Sequence, residues 1–182
     1  MRNRRAGAVA LAAGLLLAFP SGAAAQPAAP SADQRVILVT GSTSGLGREV
    51  ARSLAADGDH VIVHGRSEER GLELVDAINT GSPGSARFYR ADFASLAEVR
   101  GLAEAVLSDY DRLDVLVNNA GILPIREARS RVSEDGHELT FQVNYLAGYL
   151  LTDLLLPLLR SSVPSRIVNV ASVTTSPLDF DD

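Results

Sequence analysis

Val36-Ile37-Leu38-Val39 runs directly into Thr40-Gly41-Ser42-Thr43-Ser44-Gly45-Leu46-Gly47, and this junction constrains the fold more than any other stretch. Four consecutive apolar residues, most of them β-branched, read as a buried strand. The glycine-rich turn that follows opens a helix near Leu46. A helix N-terminus carries unpaired N–H groups and a partial positive charge, so strand, glycine loop and helix in that order describe a place for a pyrophosphate. Gly41, Gly45 and Gly47 allow the tight turn, the close approach of backbone to ligand and the close packing of helix on strand. The spacing is Gly-x-x-x-Gly-x-Gly rather than the commoner Gly-x-Gly-x-x-Gly. Taken alone, such a run also describes an ordinary loop.

The rest of the chain repeats the alternation. A helix over Arg48 to Asp57 carries Val50, Leu54 and Ala55 on one side. His60 to His64 is a second strand, followed by Gly65-Arg66-Ser67, and a helix from about Glu68 to Asn79 places Leu72, Val75 and Ile78 at helical spacing. Ala86 to Arg90 is a third strand leading to Ala91-Asp92-Phe93. Ser95 is positioned to cap the next helix, with Glu98 at the capping-box position. Leu113 to Val117 is a fourth strand that delivers Asn118-Asn119-Ala120-Gly121. After an irregular connection from Ile122 to Ser133, a long apolar helix spans about Glu138 to Arg160, and Arg166 to Val170 makes a fifth strand.

Continuously apolar strands separated by helices imply a parallel sheet covered on both faces. Right-handed crossovers give an α/β, doubly wound, Rossmann-like sheet of order 3-2-1-4-5. In such sheets ligands bind at the carboxyl ends of the strands beside the switch in strand order. The glycine loop and Asn118 to Gly121 flank that switch, so two separate motifs fall on one rim.

The chain has 182 residues, enough for one domain with a sizeable core. It contains no Cys, which excludes disulfides, Cys-ligated metals and a thiol nucleophile. All 17 basic residues are Arg; there is no Lys. A net charge of −5 without a basic block speaks against nucleic acid as a partner. Residues 1–25 read as a signal peptide: Arg2, Arg4 and Arg5 form a positive start, Ala6 to Phe19 an apolar run, and Ala23-Ala24-Ala25 a cleavage site. An uncleaved membrane tether is the alternative. Residues 26–34, rich in Pro and Ala, form a linker, and 35–182 form a dinucleotide-binding domain. Export to the periplasm or exterior is the expectation.

The motifs resemble those of the short-chain dehydrogenase/reductase family. Thr40 to Gly47 matches its Thr-Gly-x-x-x-Gly-x-Gly loop, and Asn118-Asn119-Ala120-Gly121 its Asn-Asn-Ala-Gly segment. Asn144 matches the helix-borne Asn of the catalytic tetrad, and Ser172 falls where the catalytic Ser follows the fifth strand. Pro177 to Asp182 and the helix around Asn144 look most like the retinol-dehydrogenase-like members. The resemblance implies an oxidoreductase interconverting a small-molecule alcohol and a carbonyl. It places the cofactor against Thr40, Gly41, Ser42, Ser44, Gly45, Leu46, Gly47, Asp92, Phe93, Asn119, Ala120 and Gly121. Asp92 would hydrogen-bond the adenine ring; the plainer reading is an acid near the start of the next helix. Ser172 would polarise the substrate carbonyl, and Asn144 would serve the site or, alternatively, be a satisfied core amide. A homo-oligomer paired through the long helix also fits the family.

Arg66 bears on the choice of cofactor. NAD-preferring sites place an acid at the end of the second strand to accept from the ribose 2′-OH. Here Gly65 stands there and Arg66 follows, and a guanidinium holds a 2′-phosphate by paired charge-assisted hydrogen bonds. The residues therefore point to NADP, with NAD the alternative and Arg48 a helper. His60, His64 and His137 suggest neither a metal nor a triad; His60 and His64 share one face of a strand and read as sheet positions.

The family's proton-transferring Tyr-x-x-x-Lys pair is not in these residues. None of Tyr89, Tyr110, Tyr145 and Tyr149 is followed by a Lys, and no metal-ligating cluster replaces the pair. Two expectations follow: a C-terminally truncated reductase, or a non-catalytic secreted module that binds a dinucleotide without turning it over. In either case the fifth strand would present an uncovered side.

Overall fold

The computed structural model describes residues 29–123 and 131–172. The leader expected at 1–25, the final Pro177 to Asp182 and most of the irregular connection lie outside them. Eleven segments follow in order: β1 (Val36–Val39), α1 (Gly45–Ala56), β2 (His60–Gly65), α2 (Glu68–Gly81), β3 (Ser85–Arg90), α3 (Leu96–Asp109), β4 (Val115–Asn118), α4 (Leu139–Phe141), one π-helical turn (Gln142–Leu146), α5 (Ala147–Ser161) and β5 (Arg166–Asn169). All strand pairs are parallel and the order is β3-β2-β1-β4-β5. This is the doubly wound order expected from the sequence.

β1 is central, and its four residues are fully buried because alternate side chains enter two different cores. Val36 and Leu38 join Ile62 and Leu116 against α3 and α5, through Val99, Val106, Leu151 and Leu155. Ile37 and Val39 join Val61, Val63 and Val117 against Ala51 and Ala55 of α1 and Leu74 and Ile78 of α2. The base of the sheet is tied by two carboxylates. Asp59 accepts from Arg35 through both oxygens, and the buried Asp114 accepts from the Val36 N–H at 2.7 Å.

Four local expectations are corrected. α2 buries Gly71, Leu74 and Ile78, while Leu72 is 54% exposed; the Phe88 ring occupies the space beside Gly71, so the glycine belongs to the inner face. Ser95 makes no capping-box bond, because the Glu98 carboxylate is spent on the Asp92 N–H at 2.8 Å and Asp135 accepts from the Leu96 N–H instead. The long helix is not continuous α-helix: Gln142–Leu146 forms a π-turn closed by the Ala147 N–H on the Gln142 carbonyl. Arg48 does not line the cleft and pairs with Glu73 at 3.0 Å. β5 is the outer strand; its four residues are exposed, Ile167 at 41% and Val168 at 44%. Among the described residues no helix is long and apolar enough to cross a membrane.

Candidate dinucleotide site at the sheet switch

The loops leaving β1 and β4 meet where the strand order reverses. Thr40 zips them together. Its N–H donates to the Val117 carbonyl at 3.0 Å, and its hydroxyl accepts from the Asn119 and Ala120 N–H groups, both at 2.9 Å. The Asn119 amide returns a bond to the Thr40 carbonyl at 2.8 Å. Gly41 has φ +65°, and a Cβ there would stand 2.8 Å from the Ala120 Cα; at Gly47 it would stand 2.4 Å from the Asn119 amide nitrogen. These glycines let the two loops touch, as the spacing required.

Gly45 is different. Its φ is +55°, but a Cβ would meet nothing within 4 Å, because the position faces an open cleft of about 620 Å³. The cleft is lined by Gly41 and Ser44 to Gly47 on one bank and by Asn119, Ala120 and Gly121 on another. Asp92 and Phe93 form its far wall, and Arg66 and Arg70 stand at its edge. Leu46 is 60% exposed although apolar, and lies on this lining. α1 begins here without a side-chain cap: Ser44 makes no capping bond and the first turn holds no acid. α2, by contrast, has Ser67 accepting from the Arg70 N–H and has Glu68 and Glu69 in its first turn. The first N–H groups of α1 therefore face the cleft without a local anion.

Two residues expected at the cofactor, Thr40 and Ser42, and two expected to be catalytic, Asn144 and Ser172, do not line the cleft. Thr40 and Ser42 are buried beneath the loop, where Ser42 donates to the Val39 carbonyl at 2.8 Å; they shape the loop rather than line the cleft. Asn144 is exposed on the π-turn and grips the backbone of Ile122, accepting from its N–H at 2.8 Å and donating to its carbonyl at 3.0 Å. It is neither a core amide nor part of the cleft lining. Ser172 is exposed beyond β5 and also lies off the lining. Asp92 lies on the far wall; one oxygen accepts from the Ala94 N–H at 3.0 Å and the other stands 3.8 Å from Arg66.

Thr43, His64 and Arg70 line the cleft although the sequence reading gave none of them a role there. Thr43 explains Gly65: a Cβ on Gly65 would stand 2.6 Å from the Thr43 hydroxyl, so no acidic side chain fits at that strand end. His64 is buried, its ring stacked on Phe93 with centroids 4.5 Å apart. Burial lowers its pKa from 6.5 to about 4, against the opposing pull of the Ala91 carbonyl and Asp92, so it is neutral at physiological pH. Its place at the end of β2, two residues before Arg66, was the available clue. Among the described residues there is no metal-binding cluster of His, Asp or Glu.

Residues 35–178 match the family model described as short chain dehydrogenase. The chain belongs to the short chain dehydrogenase family. Relatives of this short chain dehydrogenase include mouse polyprenol dehydrogenase, 44% identical over 172 residues covering 91% of this chain and 50% of that protein. Human retinol dehydrogenase 13 is 36% identical over 187 residues, covering 97% of this chain and 53% of the relative. The chain thus spans about half the length of these curated relatives. Among solved structures, a Pseudomonas aeruginosa RhlG complex with NADP superposes with a TM-score of 0.66 at 33% identity, covering 76% of this chain and 55% of that one. The NADH-dependent reductase A1-R′, solved with NAD, gives a TM-score of 0.67 at 28% identity, covering 77% and 60%.

Proposed function

We propose that this short chain dehydrogenase binds NADP(H) in the cleft and contributes its half of a site that interconverts a small-molecule alcohol and a carbonyl. One observation carries the reading: α1 opens into the cleft without a side-chain cap or a first-turn acid, beside Gly45, where a Cβ would meet open space. The residues present fit a dinucleotide. The N–H groups of Gly45, Leu46 and Gly47 would hold the diphosphate, and Asp92, Phe93, Asn119, Ala120 and Gly121 would hold the nucleoside sides.

Arg66 and Arg70 stand at the cleft edge nearest the end of β2, and Thr43 fills the space an acid would need there. This supports NADP over NAD: Arg66 is 66% exposed, and its 3.8 Å contact with Asp92 is loose enough to exchange for a 2′-phosphate. The dinucleotide, when bound, supplies or accepts the hydride. Ser172 would polarise the substrate carbonyl, and Asn144 would hold the Ile122 backbone. The sequence provides no Lys, so no Tyr-x-x-x-Lys pair lies within these residues to move the proton.

Thermal unfolding with NADPH, NADH and ADP-ribose tests the cofactor assignment on wild type and Arg66→Asp. NADPH should raise the midpoint of wild type most, and Arg66→Asp should reverse its order with NADH. Equal stabilisation by the two, or an unchanged order in Arg66→Asp, would contradict NADP preference.

A further inference from the structure

We propose that His64 is a positioning residue for the dinucleotide: its neutral imidazole locks the Gly41 peptide against the sheet and so sets the shape of the loop that receives the diphosphate. The inference rests on the dinucleotide reading and adds to it a residue that acts through the Gly41 peptide.

The geometry is specific about hydrogen placement. The Gly41 N–H can only donate, so His64 Nδ1, 3.2 Å away, must accept and carry no proton. The Ala91 carbonyl can only accept, so His64 Nε2, also at 3.2 Å, must donate. The neutral Nε2–H tautomer is the one form that satisfies both partners. Through these bonds a single ring joins the glycine loop after β1 to the Ala91-Asp92-Phe93 wall after β3, and Phe93 stacks on its face. The backbone of the same residue repeats the tie. The His64 carbonyl accepts from the Ser42 N–H at 2.8 Å, and the His64 N–H donates to the Ser42 hydroxyl at 2.9 Å.

Among the described residues the Gly41 N–H has no second hydrogen-bond acceptor. Gly41 sits at φ +65° with Ala120 packed against it, so the peptide cannot rotate without parting the β1 and β4 loops. Without the ring's acceptor, a part-buried N–H would be left to seek water or a new conformation. Either change moves the loop whose continuation is Gly45, Leu46 and Gly47. His64 therefore fixes the separation of the two walls between which the adenosine half of a dinucleotide would lie.

The test compares three substitutions in the 182-residue chain, with dissociation constants for NADP⁺ measured by calorimetry near neutral pH. An Asn carboxamide places an acceptor near the Nδ1 position, a Gln places its polar end near Nε2, and Leu supplies neither. His64→Leu and His64→Gln should weaken NADP⁺ binding by about ten-fold or more, while His64→Asn stays within about three-fold of wild type. A purely structural role for a filled space would not separate Asn from Gln. If Leu fails to fold, the Asn–Gln pair decides, and equal affinities overturn the proposal. His64→Leu binding as tightly as wild type also overturns it while leaving the dinucleotide reading intact. Wild type that binds neither NADP⁺ nor NAD⁺ overturns the dinucleotide reading and the proposal with it.

Discussion

Gly41 lies so close to Ala120 that a Cβ on the glycine would stand 2.8 Å from the Ala120 Cα. The contact joins the loop after the first strand to the loop after the fourth, 79 positions apart in the Thr40–Asn119 bond beside it. It defines the floor of the candidate site, and it separates two glycines that look equivalent in the sequence.

Gly41→Ala meets both a left-handed backbone and a backbone clash, so we expect a loss of several kcal/mol, beyond the ~1–3 of strained backbone alone. Gly45→Ala meets only the left-handed backbone, since its Cβ would point into open space. It should cost ~1 kcal/mol of stability yet weaken NADP⁺ binding by at least about ten-fold, because the methyl occupies the place meant for the diphosphate. Urea denaturation and calorimetry on both variants separate the two effects.

Acid should destabilise the fold through two histidines on β2. Burial lowers His64 from 6.5 to about 4, and burial with the nearby Arg87 charge lowers His60 to about 4. His60 bridges Ser85 and Tyr110, at 2.7 and 2.9 Å. Both groups bind protons more readily unfolded than folded, so their stabilising effect is whole above pH 6.5 and is lost as pH falls towards about 4. With both titrating, the slope approaches ~2.7 kcal/mol per pH unit, before carboxylates add their own. Urea midpoints across this range check it; His64→Asn should flatten part of the slope.

Asn144→Ala removes two hydrogen bonds to the Ile122 backbone from an exposed position. A global cost of ~1 kcal/mol is expected, with a larger local effect. The Ile122 amide should exchange with solvent about ten-fold faster while β1 amides keep their protection. Asn144→Asp, which keeps the acceptor and loses the donor, should fall between.

The leader reading predicts that the exported chain begins at Gln26. Intact mass of the protein recovered after expression in a secreting host should correspond to residues 26–182; a mass retaining residues 1–25 favours the tether.

Much of this was legible because the strands are continuous apolar runs. Val36 to Val39 and His60 to Gly65 are buried on both faces, so their parallel order followed from the alternation with helices. What escaped depended on partners distant in the chain. His64 reads as a sheet position until Gly41, 23 residues before it, and Ala91, 27 after it, are seen on its ring nitrogens. The π-turn is invisible to a 3.6-residue period, since its polar anchors act outside the helix: Gln142 donates to Asp135 and Asn144 to Ile122. Leu72 was misplaced because an apolar count passes over Gly71, whose burial is due to the Phe88 ring.

The central claim is that a diphosphate rests on the first amides of α1. Titrating ¹⁵N-labelled protein with ADP-ribose and following amide shifts tests it directly. The account predicts the largest displacements at Gly45, Leu46, Gly47 and Gly121, with Asp59 and Ser85 at the far end of the sheet unmoved; saturating ADP-ribose that leaves Gly45 to Gly47 in place would contradict it.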